Sequence, residues 1–177
     1  MFQGEVLTMV LQSFTARNWP IFALLLSLSL WLGALAFEHI GGLAPCQMCY
    51  WQRHAHKAVI VIAVIALIVR QFTMDRRWES RFLALIGLAF LLSFGLAFWH
   101  VGVEFKWWEG PKTCMVGAGA SDFNTESLLK ALENPVEMPA CSEAPWHLLN
   151  ISMAGYNAVF SGLAALISFV FVVKARA

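Results

Sequence analysis

Four long apolar stretches, separated by polar or charged segments, organise the chain. The hydrocarbon core of a bilayer is about 30 Å thick and takes roughly 20 predominantly apolar residues of helix to cross. The first helix, about 19–38, rests on an apolar run from Trp19 to Phe37 interrupted only by serines and a glycine, which membrane helices tolerate. The second is the informative one. Its continuous apolar part, 58–69, is too short to cross alone, so the pattern predicts a helix over 46–70 with a polar beginning. Such a helix, at 1.5 Å per residue, is roughly 37 Å long. The third stretch covers about 82–101. The fourth covers about 148–173 and carries Asn150 and Asn157. Short segments at about 39–45 and 71–81 and a long one at 102–147 connect them, which predicts one membrane domain over 1–177: an all-α integral membrane protein built as a four-helix bundle. Within the long segment, Leu128, Leu129 and Leu132 share one side of a possible two-turn helix over 125–133, and Pro135 stops it. That piece reads as a short amphipathic helix on the membrane surface.

Composition agrees. Hydrophobic residues make up 59% of the chain and charged residues 13%, about half the charge of a soluble domain, where roughly a quarter is usual. A net charge of +1 leaves no basic stripe for nucleic acid. The run before 38 is longer than the ~7–15-residue core of a signal peptide, so it reads as a spanning helix rather than a cleaved leader, although Ala34-Leu35-Ala36 resembles a small-residue cleavage site.

Lysine and arginine set the orientation. Arg17 precedes the first helix, Arg70, Arg76, Arg77 and Arg81 crowd the second connection, and Lys174 and Arg176 follow the fourth helix. These mark the cytoplasmic side and place both termini there. Arg53 and Lys57 fall in the upper part of helix two, and Lys106, Lys112 and Lys130 are diluted among seven acidic residues between Glu104 and Glu143. Trp19 and Trp78 fall near the inner interface; Trp51, Trp99, Trp107, Trp108 and Trp146 fall near the outer one, as interfacial anchors.

Both cysteine pairs then face the oxidising side, where disulfides persist. Cys46 and Cys49 form a C-x-x-C at the outer start of helix two. Cysteines three apart share a helix face, and a helix N-terminus favours a thiolate, the reactive form. A structural disulfide gains stability by closing a long loop, and this one closes almost none. A C-x-x-C can also be half a zinc site, but no second half with the right spacing is present, and His54 and His56 point to opposite sides of a helix. Arg53, four residues after Cys49, projects from the same face. A cation at that depth must be paired or snorkel to the interface; the functional reading is a positive charge beside a Cys49 thiolate and a bound carbonyl. Cys114 and Cys141 lie in the long outer segment and pair either as a structural disulfide or as a second redox pair able to exchange with the first.

Taken in order, these motifs resemble the bacterial disulfide bond formation protein B family, DsbB. The resemblance covers nearly the whole chain: Pro45-Cys46-x-x-Cys49 followed by Tyr50-Trp51-Gln52-Arg53, then His100-x-Gly102-Val103-Glu104, Trp108-x-Gly110-Pro111-x-x-Cys114, Pro139-Ala140-Cys141 and Ser152-Met153-Ala154-Gly155-Tyr156-Asn157. It implies a multi-pass protein of the bacterial inner membrane that oxidises the dithiol of a periplasmic, DsbA-like thiol oxidase and passes the electrons to ubiquinone or menaquinone. On that resemblance Cys114 and Cys141 form the disulfide that accepts electrons, with Cys114 the sulfur attacked. Electrons move to Cys46 and Cys49 through a transient Cys46–Cys141 bridge, and Cys49 faces the quinone with Arg53 beside it. His100 and Glu104 match the motif without an assigned role. The competing readings are a relative dedicated to one specialised thiol oxidase, a reductase carrying electrons outward, and a non-enzymatic scaffold with two structural disulfides; the last leaves Arg53 unexplained.

Overall fold

The computed structural model describes residues 15–72, 75–111, 114 and 140–176. Four helices long and apolar enough to cross a membrane dominate it: α1 (Trp19–His39), α2 (Gln47–Phe72), α3 (Arg76–Glu104) and α4 (Met153–Arg176). They run alternately up and down, so both cysteine-bearing segments lie at one end of the bundle. The amphipathic piece expected over 125–133 lies outside the described residues.

Two helix starts differ from the hydropathy reading. α3 begins at Arg76, six residues before the apolar stretch. Asp75 caps it by accepting the Arg77 backbone N–H at 2.8 Å, and the first turns carry Arg77, Glu79 and Arg81. Hydropathy registers only the part of a helix that meets lipid, and a charged extension is invisible to it. α4 begins at Met153, not near 148. The residues before it form a hairpin, β1 (His147–Leu148) against β2 (Ile151–Ser152), turned by Leu149 and Asn150, both at positive φ. Two left-handed residues in succession suit a two-residue hairpin turn and cannot continue an α-helix. Ser152 then caps α4, its Oγ accepting the Gly155 N–H at 3.1 Å.

Between lipid-facing side chains such as Leu25, Val61, Leu92 and Leu166, the helices meet through small residues that let backbones approach. α3 and α4 pack most closely. A Cβ on Gly87 would lie 3.1 Å from Ser168, and one on Gly162 would lie 3.0 Å from Phe94. The interior is layered. Away from the cysteines, Trp19, Val59, Leu83, Ile86 and Phe90 form an apolar core. Trp19 is therefore not an interfacial anchor: it is 3% exposed and donates its indole N–H to Ser168 at 2.7 Å, which clasps α1 to α4 at that end. Above this core lies a layer of buried polar side chains, and above that a sulfur cluster. At the cysteine end α1 and α4 are separated by a cavity, with Trp146 wedged between Phe37 (ring centroids 5.0 Å) and Tyr156 (6.3 Å).

Candidate functional site: a dithiol, a disulfide and an apolar cavity

Cys46 immediately precedes α2 and acts as its cap: the Cys49 backbone N–H points at Cys46 Sγ, 3.4 Å away. One turn of helix brings the two sulfurs to 3.1 Å. That separation lies between a disulfide bond, about 2.05 Å, and the roughly 3.7 Å of two thiolates sharing a tetrahedral zinc ion; with His100 the pair offers three ligand atoms. Cys46 Sγ also lies 3.6 Å from His100 Nε2. Hydrogen bonding between the sulfurs, helped by the His100 ring, outweighs the burial that would raise its pKa and lowers Cys46 to about 4. A thiolate is the nucleophile in disulfide exchange, and Cys46 is built to be one.

The second pair is joined as the Cys114–Cys141 disulfide. The chain reaches it through a sharp return after α3. Lys106 takes a positive φ of 59°, and Trp108 folds back to donate its indole N–H to the Trp99 carbonyl at 2.8 Å. Its ring occupies the space a side chain on residue 102 would need, since a Cβ on Gly102 would fall 2.0 Å from it. A Cβ on Gly110 would lie 3.2 Å from Val103. These contacts explain the two glycines of the His100-x-Gly102 and Trp108-x-Gly110 motifs: they let the loop lie against the helix end. Cys46, Met48, Val103 and Cys141 consequently form one buried cluster, with Cys49 and Cys114 packed against it. All four cysteines are thus brought together. Cys141 is 2% exposed, whereas Cys114 is half-buried and the more accessible sulfur of its bond.

Arg53, one turn below Cys49, is 8% exposed and does not snorkel. It is ion-paired with Glu38 of α1, its Nη2 donates to the Ala34 carbonyl at 3.0 Å, and it lies over the Tyr50 ring. Glu38 escaped the sequence reading; the available signal was that it is the only acidic residue in the first predicted helix. The pairing changes what Arg53 can do. A guanidinium neutralised by a carboxylate is a weaker bare charge but a well-fixed hydrogen-bond donor. Its Nε remains buried with no partner among the described residues, and leaving such a donor unsatisfied costs about 1–3 kcal/mol.

Arg53 and Cys49 line the cavity between α1 and α4, of about 340 Å³, whose walls are largely apolar: Leu30, Phe37, Leu43, Trp146 and Met153. Gln52, His56, His100, Glu104 and Asn157 supply its polar wall. The sequence pattern alone gives none of these a role. His56 is buried, with Ser27 Oγ at 3.3 Å from Nδ1 and Asn157 Oδ1 at 2.9 Å from Nε2, while His54 is exposed. Glu104 accepts the Ser152 hydroxyl at 2.5 Å and lies 3.9 Å from His100, so it ties the end of α3 to the cap of α4.

A family model for the disulfide bond formation protein DsbB matches residues 16–171. Disulfide bond formation protein B of Aeromonas hydrophila subsp. hydrophila is 31% identical over 132 residues, covering 72% of this chain and 70% of that protein. The protein of the same name from Shewanella frigidimarina is 29% identical over 147 residues, covering 81% and 83%. No solved structure gives a significant match. A multi-pass helical chain with two apposed cysteine pairs, matched along most of its length, belongs to the DsbB family of disulfide bond formation proteins.

Proposed function

We propose that this protein is a quinone-dependent thiol oxidase of the bacterial inner membrane, with both termini cytoplasmic and its cysteines facing the periplasm. It takes electrons from the dithiol of a DsbA-like periplasmic thiol oxidase and delivers them to ubiquinone or menaquinone. Family membership supports a role in disulfide bond formation and thiol oxidoreduction at large; the quinone and the partner are our reading.

The observation that carries it is the position of Cys49. It lies at the junction of a sulfur cluster and an apolar cavity that Arg53 also lines. A quinone ring fits these residues. Its carbonyl oxygen would meet the Arg53 guanidinium, its ring would lie on apolar walls, and its tail would leave between α1 and α4, which part at this end. When bound it supplies a two-electron, two-proton acceptor.

The residues of the chain do the rest. Cys114, the accessible sulfur, receives attack by the partner's thiolate, which frees Cys141. Cys141, packed against Cys46, attacks it and opens the Cys46–Cys49 disulfide, leaving Cys49 toward the cavity. Arg53 and its Glu38 partner hold the acceptor end fixed. The partner's second thiol then closes on the sulfur bonded to Cys114, leaving as an oxidised partner and freeing Cys114, whose thiolate attacks Cys141 and releases Cys46. The Cys46 and Cys49 thiols so formed give up two electrons and two protons to the acceptor and close again.

The test is direct. Purified protein given a reduced DsbA-like oxidase and a short-chain quinone should consume the oxidised quinone's absorbance. No consumption by protein with intact cysteines, with a partner proven competent, would reject this function. A dedicated relative would turn over only its own oxidase under the same assay.

A further inference from the structure

The buried polar layer has a direction. Three groups converge on Asn157 Oδ1: His56 Nε2 at 2.9 Å, Ser161 Oγ at 2.8 Å and Ser93 Oγ at 3.4 Å. That leaves Asn157 Nδ2 to donate to Gln52 Oε1 at 2.7 Å. Gln52 Nε2 then donates to His100 Nδ1, 2.9 Å away. A ring nitrogen that accepts a hydrogen bond carries no hydrogen, so the hydrogen of a neutral imidazole sits on the other nitrogen. For His100 that is Nε2, which faces Cys46 Sγ at 3.6 Å. Turning one amide alone would set two N–H groups or two oxygens against each other inside the bundle. Such a mismatch is costly in a low-dielectric interior, so the order holds along the whole chain or not at all.

We infer that Gln52, anchored by Asn157 and His56, is a positioning residue that fixes His100 in the tautomer whose Nε2–H is presented to the Cys46 sulfur. The inference rests on Cys46 and Cys49 being the redox pair, as proposed above, and extends it to the step in which Cys46 must act as a thiolate. In that step the Cys46 and Cys49 thiols together lose two protons and two electrons, the latter to the quinone acceptor proposed above, as the bond between them forms. An N–H held toward it stabilises the anion, whereas the opposite tautomer would present a lone pair. Two further acceptors favour the same tautomer: the Glu104 carboxylate on α3, 3.9 Å from His100 Nε2, and the Cys141 backbone, which hydrogen-bonds the His100 ring. Cys49 lies 3.1 Å from Cys46 on α2, and Arg53 is engaged by Glu38 of α1; Gln52 is the group that holds the opposite nitrogen.

Full-length protein with Cys114 and Cys141 replaced by serine, reduced and held in lipid nanodiscs, gives two readouts. One is the ¹⁵N-histidine spectrum, with His56 and His100 assigned by replacing each with glutamine. The other is thiolate absorbance against pH. The parent should show His100 Nδ1 as hydrogen-free and Nε2 as protonated. Gln52→Leu should mix the tautomers and move the Cys46 midpoint upward by about one pH unit, a tenfold change in its acid dissociation constant. Gln52→Glu, whose carboxylate accepts from an Nδ1–H, should place a hydrogen on both ring nitrogens and move the midpoint the other way. Opposite signs from two substitutions at one site would not arise from loosened packing. Should Gln52→Leu fail to fold, Asn157→Ala, which frees the Gln52 amide to rotate, should also mix the tautomers. An unchanged nitrogen pattern and midpoint in the folded variants would overturn the inference. Neither readout involves a quinone, so failure of quinone reduction with this pattern intact would sink the proposed function alone.

Discussion

Arg53 and Glu38 form a part-buried ion pair that joins α2 to α1 beside the cavity. Removing one partner of a buried pair is far more damaging than its net contribution suggests, because the other charge is left uncompensated. Arg53→Ala should therefore destabilise the protein by about 2–3 kcal/mol, discounted from the fully buried case because Glu38 keeps some exposure. The double variant Arg53→Ala/Glu38→Ala should recover part of that loss. In the quinone assay Arg53→Ala should raise the quinone KM roughly tenfold, about 1.4 kcal/mol. An unchanged quinone dependence, with stability lost, would reduce Arg53 to a structural residue.

Cys46 is held as a thiolate first by its hydrogen bond with Cys49 and then by His100. Its pKa, lowered to about 4, puts it in the reactive form throughout the neutral range. In the reduced protein, thiolate absorbance from Cys46 should persist from pH 8 down to about 5 and vanish only below that, whereas an ordinary thiol, with pKa ≈ 8.5, would already be protonated at neutral pH. Cys49→Ala removes the largest contribution and should shift the transition to higher pH. A transition near the ordinary thiol value in the parent protein would contradict this geometry.

Ser152 caps α4 and gives its hydroxyl hydrogen to Glu104. Ser152→Ala should cost about 1 kcal/mol for the lost cap and somewhat more for the stranded Glu104 carboxylate. Ser152→Thr should retain most of both. Thermal unfolding of the three proteins in one detergent would rank them; equal midpoints for the parent and Ser152→Ala would show that the cap is not contributing.

Gly102 gives its side-chain space to the Trp108 ring, which would come within 2.0 Å of a Cβ there. Gly102→Ala should displace Trp108 and, with it, the return of the chain toward Cys114. We expect slower exchange between the two cysteine pairs with little change in helix content, measured by trapping the mixed disulfide and by circular dichroism. Trp108→Ala in the Gly102→Ala background should restore part of the rate if the clash is the cause.

Membrane orientation can be read with thiol reagents. After mild reduction of intact spheroplasts, an impermeant maleimide should label Cys114 without lysis. Labelling only after lysis would invert the proposed topology and end the periplasmic reading.

Much of the architecture was legible because the transfer of apolar side chains into lipid is a local property. The four spanning stretches, the cysteines at one end of the bundle and the spacing of Cys46, Cys49 and Arg53 along one helix face could all be read from neighbouring residues. Where polar and apolar periods separate, the reading slipped: the charged first turns of α3 and the left-handed Leu149–Asn150 turn before α4 carry no hydropathy signal. The sequence by itself thus determined the spans and which residues could do sulfur chemistry. Only the tertiary structure decided that Trp19 belongs to the core, that Arg53 answers to Glu38, and that Gln52, His56, His100 and Asn157 form one ordered chain. The physical reason is the cost of burying polar groups without partners. A polar group buried among helices must find one wherever packing offers it, and for His56 and Asn157 that partner stands 101 positions away along the chain.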